Sequence, residues 1–347
     1  MAIIQRQSNI ELLRIVAMLF VLILHANGIA LGLPQQEDCI SSPWLSFLRF
    51  SIESLCIVCV NVYVLISGWF GINATPHKLI GFIFTCLFYS LLLTSAIWIA
   101  KGFPAMSLKT VAGCFLFGQD YWFANSYMLL YIISPAINSL FDYSSRKTVR
   151  VSVFAFLLMM VTFGWLHTMP EFKNGSSTIS FIGLYMLGRY LRVYVFGIDG
   201  KSVNKVVSLS AYLICSLLLA MMAFIVFRGG FNYYVSRCVF SYLNPLTILA
   251  SVFLFLLFKE LKITSNSVNF IARSSFAVYL FHLSPFIWEK YLRLCRDINS
   301  QCGLVAPLVI AGLVVIVFAL GVLVDQIRIK LWSMIGKQFL VKDGIVK

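Results

Sequence analysis

Residues 9–25 read NIELLRIVAMLFVLILH, an apolar run of membrane-spanning length that carries both an arginine and a histidine. Eleven positions separate Arg14 from His25. At ~100° per residue that is three helical turns to within roughly 20°, so the two share one helix face, about 16 Å apart along the axis. An ionisable side chain inside a span costs at least ~2.5–3.5 kcal/mol on insertion scales, so it faces a cavity or a partner. Two on one face suggest a polar track. Milder readings stay open beside it. Arg14 lies near the helix start and can reach the headgroups with Glu11, three residues away, as its partner. His25 can be a neutral imidazole bonded to a neighbouring helix.

The rest of the chain has the same character. Apolar residues make up 60% of it and charged residues 12%, far from an ordinary soluble domain. We expect an all-α fold, a polytopic membrane bundle of about ten transmembrane helices. The spans fall near 10–31, 47–67, 79–100, 121–140, 149–168, 178–197, 206–227, 237–258, 268–289 and 304–327, with a short apolar piece over 111–118 that reads as re-entrant or interfacial. Segments placed inside, among them those with Lys78, Arg146, Lys147 and Arg150, hold more basic residues than segments placed outside, which puts both termini in the cytoplasm. Loops are too short for a second domain, so residues 1–347 are read as one integral-membrane domain. The net charge of +14 is spread over short loops and fits basic cytoplasmic loops rather than nucleic-acid binding. The nine cysteines show no metal-ligand spacing, and no metal is expected. Cys56 and Cys59, spaced C-x-x-C inside a span, read as buried small hydrophobes. Cys39, Cys295 and Cys302 fall in loops placed outside, and spacing does not decide whether any two pair.

Arginine, ten residues, then histidine, set in ELLRIVAMLFVLILHA (11–26), resembles the opening of the acyltransferase-3 family of polytopic bacterial membrane O-acyltransferases. Later elements follow in the same order. NVYVLISGWF (61–70) resembles the family's V-x-x-F-x-x-x-SGY/F element, with Tyr63 where phenylalanine is usual, although Ser-Gly at a helix end is also ordinary capping chemistry. YWFAN (121–125) running on to Ser134-Pro135 resembles its W-F-L … Y-L-x-x-P helix, while Trp122 also suits an aromatic belt at the outer interface. RSSFAVYLFH (273–282) resembles its late S-x-x-x-Y-L-x-H element. The resemblance implies that His25 is essential to acyl transfer and that Arg14 is required with it. It further implies a bacterial cytoplasmic-membrane location, acetyl-CoA as donor and a glycan or lipid-linked saccharide as acceptor. In many relatives the loop after the Ser-Gly element carries a basic pair; here it offers His77 and Lys78.

Counting ~1.5 Å per residue from span midpoints sorts the polar residues into two layers. Arg14, Arg273 and Arg192 lie toward the cytoplasm and Arg189 nearer the middle, where arginines suit a polyanionic donor. His25, Glu53 and His282 lie outside the midplane by about 5–8 Å on the same count. His25 and His282 are candidates for proton removal from a hydroxyl, and Glu53 for orienting an imidazole within one-water reach. His282 also reads as a satisfied structural imidazole, Arg192 as a snorkelling side chain, and Arg273 as the partner of Asp325 on the last span. Trp122 and Asn125 are the acceptor-facing candidates. A second class, a proton-coupled transporter or flippase of a glycan-related solute, uses the same intramembrane residue types. Acetyl-CoA turnover by purified protein separates the two.

Overall fold

The computed structural model describes residues 7–101, 121–197, 202–231, 233 and 235–342, and among them every regular element is a helix. In chain order these are α1 (Ser8–Leu24), α2 (Gln36–Ser41), α3 (Pro43–Cys56), α4 (Cys59–Phe70), α5 (Pro76–Lys101), α6 (Trp122–Tyr143), α7 (Arg146–Met159), α8 (Thr178–Tyr190), α9 (Lys205–Arg228), α10 (Pro245–Lys259), α11 (Asn266–Ala272), α12 (Ser275–His282), α13 (Pro285–Gln301) and α14 (Ala306–Lys342). Wider π-helical turns continue α1 over His25–Ala30, α7 over Met160–Leu166 and α8 over Leu191–Val195. The apolar piece over 111–118 lies outside the described residues.

Among the described residues, five segments are long and apolar enough to cross a membrane: Ser8–Ala30, Pro43–Phe70, Arg146–Leu166, Lys205–Arg228 and Gly303–Met334. A sixth arises if the bent pair Asn266–His282 and Pro285–Gln301 is counted as one. The helices Pro76–Leu92 and Pro245–Lys259 are apolar but shorter. The ninth expected span, 268–289, is therefore not one straight helix. It breaks after His282 and turns by 86°. Ser284 caps the new helix by accepting from the Ile287 N–H at 3.4 Å, and Pro285 opens it. Proline at N1 suits a helix start and cannot continue the one before. The helix that follows, with Glu289, Lys290, Arg293, Arg296 and Asp297, is too charged to extend an apolar span. The eighth likewise starts at Pro245 rather than 237, with the Asn244 side chain accepting from the Leu246 N–H at 2.9 Å.

The described chain folds into two compact units, each drawn from two stretches of sequence: Met1–Ala74 with Trp122–Asn269, and Thr75–Tyr121 with Phe270–Lys347. The first is centred on the second span, Pro43–Phe70, whose apolar window is 72% buried, the most of any span. Glycines let α4 and α8 approach backbone to backbone. A Cβ on Gly68 would strike the carbonyl oxygen of Tyr185, and one on Gly188 would stand 2.5 Å from the Leu65 carbonyl oxygen. Small residues at a crossing are how membrane helices gain close van der Waals contact without a hydrophobic driving force. The Ser67-Gly68 pair is thus a crossing element, and the helix end lies further on, at Gly71 with φ 73°. On the far side of this span α9 packs through stacked Phe50 and Phe227, 4.9 Å apart, and through the Tyr212 hydroxyl, which donates to the Leu55 carbonyl at 2.7 Å. Asn9 on α1 donates to the last carbonyls of α10, Phe258 and Lys259, at 3.1 and 3.0 Å.

The second unit packs α5, α12, α13 and α14. Phe82 stacks on Phe276 at 5.0 Å, and Tyr291 and Cys295 are the buried residues of α13. Asp325, fully buried, is held by the Arg328 fork and by the Tyr89 hydroxyl at 3.3 Å. Arg328 also donates to Thr85 at 3.2 Å.

The glycine crossing makes Gly188→Val a severe change. Overpacking there is expected to cost more than about 2 kcal/mol, read as a lowered unfolding temperature in detergent. Gly312→Ala, where an added Cβ meets nothing within 4 Å, is expected to hold or raise it, because alanine is the better helix former by ~1 kcal/mol.

Candidate active site

Arg14 and His25 keep the shared face that their spacing suggests, because the α-helical register holds through Leu24 and widens only at His25. Both side chains are half-buried. Arg14 meets Glu11 at 3.3 Å, the pairing read from sequence as one alternative. Its carbonyl oxygen accepts from the Tyr63 hydroxyl at 2.7 Å. Tyr63, which stands where relatives have phenylalanine, thus ties α4 to α1 one peptide from the guanidinium. Ser67, one turn on, donates to the Tyr63 carbonyl and bonds the Tyr127 hydroxyl at 3.0 Å.

An aromatic wall runs on from there. Tyr63 meets Phe123 edge-on at 6.0 Å and Phe123 stacks on Tyr127 at 5.8 Å. Trp122 lies against Phe181 and Tyr242, 6.3 and 6.1 Å away, so its ring is part of this wall within the first unit. Asn125 is half-buried on the next turn of α6. Proline 135 interrupts the ladder of that helix, and Ser134 Oγ donates to the Tyr131 carbonyl, the acceptor the missing N–H leaves open, at 2.7 Å.

Glu53 turns inward, 7% exposed, as a span carboxylate must. Sequence reasoning expects an imidazole against it. The structure seats its Oε2 on the Asn27 carboxamide at 2.8 Å. Arg49, one turn before Glu53, completes the cluster: its Nε donates to Asn27 Oδ1 at 3.1 Å and a terminal nitrogen to the Asn27 carbonyl at 2.7 Å. Asn27 and Arg49 were not singled out from the sequence. The available signal was an Arg–Glu pair at i, i+4 inside an apolar helix, with an asparagine two residues past the histidine.

Arg189 lines a cavity of about 380 Å³ with Phe70, Gly71, Ile72, Asn138 and Asp142. The wall is rigidly built. The Tyr185 hydroxyl accepts from the Ile72 N–H at 2.9 Å and donates to Asn138 Oδ1 at 2.7 Å, while Asn138 Nδ2 donates to the Ile72 carbonyl at 3.0 Å. The Arg189 side chain lies 4.0 Å from the exposed Asp142 carboxylate, and its buried Nε finds no hydrogen-bond partner among the described residues. Arg192 instead lies over the Trp69 ring at 5.2 Å, a cation–π contact.

His282 and Arg273 belong to the second unit. His282 is fully buried, with Nδ1 on the Val278 carbonyl at 3.0 Å and the Tyr279 and Trp288 rings beside it. It is less exposed than His25. Arg273 is exposed. It is not the carboxylate partner suggested for Asp325, whose oxygens are taken by Arg328 and Tyr89. The reason is reach: Arg328 sits one turn along the same helix and forks onto both oxygens. Cys39, Cys295 and Cys302 are free thiols.

A family model described as an acyltransferase domain matches residues 7–326, which takes in Arg14, His25, Glu53, Arg189 and His282. Comparison with curated proteins and with solved structures finds no match. The Tyr63 bond to α1 is open to direct test. Tyr63→Phe is expected to fold and to lose about 1 kcal/mol, the net worth of one hydrogen bond, measured by denaturant or thermal unfolding in detergent.

Proposed function

This chain belongs to the acyltransferase-3 family, and on that premise we propose that it is a bacterial inner-membrane O-acetyltransferase. It carries an acetyl group from cytoplasmic acetyl-CoA to a hydroxyl of a cell-surface glycan or its lipid-linked precursor, as one membrane domain of about ten spans with both termini inside. The observation that carries the reading is the Arg14–His25 pair: one helix face, and an imidazole half-buried rather than sealed.

In this mechanism a ring nitrogen of His25 takes the proton of the acceptor hydroxyl as its oxygen attacks the thioester carbonyl. The new C–O bond forms, the C–S bond breaks, and the departing thiolate receives the proton from the imidazolium. Arg14, deeper on the same face, holds the donor or the polarised thioester oxygen with a planar fork that lysine does not reproduce. The aromatic wall with Trp122 and Asn125 receives the saccharide, whose ring faces stack on aromatic side chains. Arg189 takes an anionic group of the donor in the Gly71–Ala74 cavity. This is where the chain supplies the cation that the following loop, with only His77 and Lys78, provides weakly. An incoming phosphate competes there with Asp142 for the guanidinium. Arg192 and Arg273 add positive potential for the donor.

His25→Ala is expected to abolish the O-acetyl signal in proton NMR of the host's surface polysaccharide while the protein inserts at the wild-type level; an unchanged signal would reject the assignment. Arg189→Met is expected to weaken acetyl-CoA binding and Asp142→Asn to strengthen it, each by several-fold, on the order of 1 kcal/mol for a part-exposed pair. Calorimetric titration of the detergent-purified protein with acetyl-CoA measures both, and equal affinities in all three proteins would remove the donor from this cavity.

A further inference from the structure

The π-helical turn that starts at His25 is, like those that end α7 and α8, a departure from regular α-helix. Such turns are rare, appear mostly as single turns inside α-helices, and occur frequently at functional sites. Here contacts to the turn come from α3. Arg49 bonds the Asn27 carbonyl at 2.7 Å and also the Gly32 carbonyl, one acceptor inside the turn and one two residues past its end. Its Nε bonds Asn27 Oδ1 at 3.1 Å. The Asn27 amide nitrogen returns two bonds to α3, to the Arg49 carbonyl at 3.1 Å and to Glu53 Oε2 at 2.8 Å. Only one orientation of the Asn27 carboxamide satisfies all of these, oxygen to the guanidinium and nitrogen to the two acceptors, so the network fixes its own geometry. The other carboxylate oxygen of Glu53 lies so close to the backbone of Gly28 that a Cβ there would stand 2.7 Å from it. Asn27 and Glu53 are each 7% exposed.

We infer that Asn27, Arg49 and Glu53, with Gly28, form a clamp that holds the His25 π turn and so sets the direction and environment of the imidazole. The inference rests on His25 as the base of the proposed reaction. It makes all three side chains positioning residues, and it gives Glu53 a role through the backbone rather than through direct contact with a substrate. The physical basis is rigidity. Asn27 is two residues from His25, held by its carbonyl, its side-chain oxygen and its side-chain nitrogen at once, and its bond to Glu53 is buried, where leaving a polar group unmet is costly. A lysine at 49 keeps the charge but cannot bridge Asn27 Oδ1, the Asn27 carbonyl and the Gly32 carbonyl together.

Site-resolved carbethoxylation with diethyl pyrocarbonate, followed by mass spectrometry across a pH series, reads His25 itself and needs no acceptor. In detergent-purified Arg49→Lys and Gly28→Ala, the rate or pH midpoint at His25 is expected to shift several-fold, with His77 and His167 unchanged as internal controls. The O-acetylation rate in cells is expected to fall about 10–100-fold, the usual scale for a misplaced catalytic group. Glu53→Gln, which keeps an acceptor oxygen for Asn27, is expected to retain His25 reactivity near the wild-type value. Wild-type His25 reactivity in Arg49→Lys would overturn the clamp, as would a common change at all three histidines. Should these variants not fold, deuterium uptake by the wild-type amides over 26–32 decides: protection like that of mid-α1 supports the clamp, and uptake like a frayed helix end rejects it. A fully active His25→Ala would remove the functional reading and leave the clamp's effect on His25 reactivity intact, so the two failures are distinguishable.

Discussion

The close crossing of α4 and α8 sets the geometry on which the first unit depends. With no hydrophobic force to drive one apolar helix onto another in lipid, contact must come from surfaces that fit. Gly68 and Gly188 supply that fit by letting the Tyr185 and Leu65 carbonyls lie where side chains would otherwise stand. Much follows from this approach. It brings Tyr185 within hydrogen-bond distance of the Ile72 backbone and sets Arg189 against Gly71, whose missing side chain leaves room for the guanidinium. The cavity at the end of α4 is therefore a consequence of how two backbones cross.

A second constraint shapes the polar residues. In an apolar medium a buried donor or acceptor left unmet is costly, and at several charged side chains small networks close around it. Asp325 with Arg328 and Tyr89 is one such network, and Asn27 with Arg49 and Glu53 is another. Both use an arginine whose several donors gather acceptors, Arg328 from the Asp325 carboxylate and Thr85, Arg49 from the Asn27 side-chain oxygen and two backbone carbonyls. Arg189 departs from this pattern, since its buried Nε has no partner among the described residues and its nearest carboxylate is exposed. The two candidate histidines differ in burial. His282 is sealed with its Nδ1 on a backbone carbonyl, whereas His25 stands half-buried where the helix widens.

The primary sequence by itself determined the membrane character, the all-helical class, the family and the face shared by Arg14 and His25. Each rests on composition or on local helical geometry, which a single helix obeys whatever surrounds it. The inward turn of Glu53 was legible for the same reason, because an acid in an apolar span has few places to go. Only the tertiary structure decided what Glu53 meets, that Ser67-Gly68 is a crossing rather than a cap, that Asp325 pairs along its own helix, and that the ninth span folds over at Ser284-Pro285. It also decided where α-helix gives way to a π turn. At that turn the Asn27 carbonyl is bonded by Arg49, a residue 24 positions from His25 on another helix. Periodicity describes one helix at a time, and a distortion held in place by a neighbouring helix leaves no mark in it.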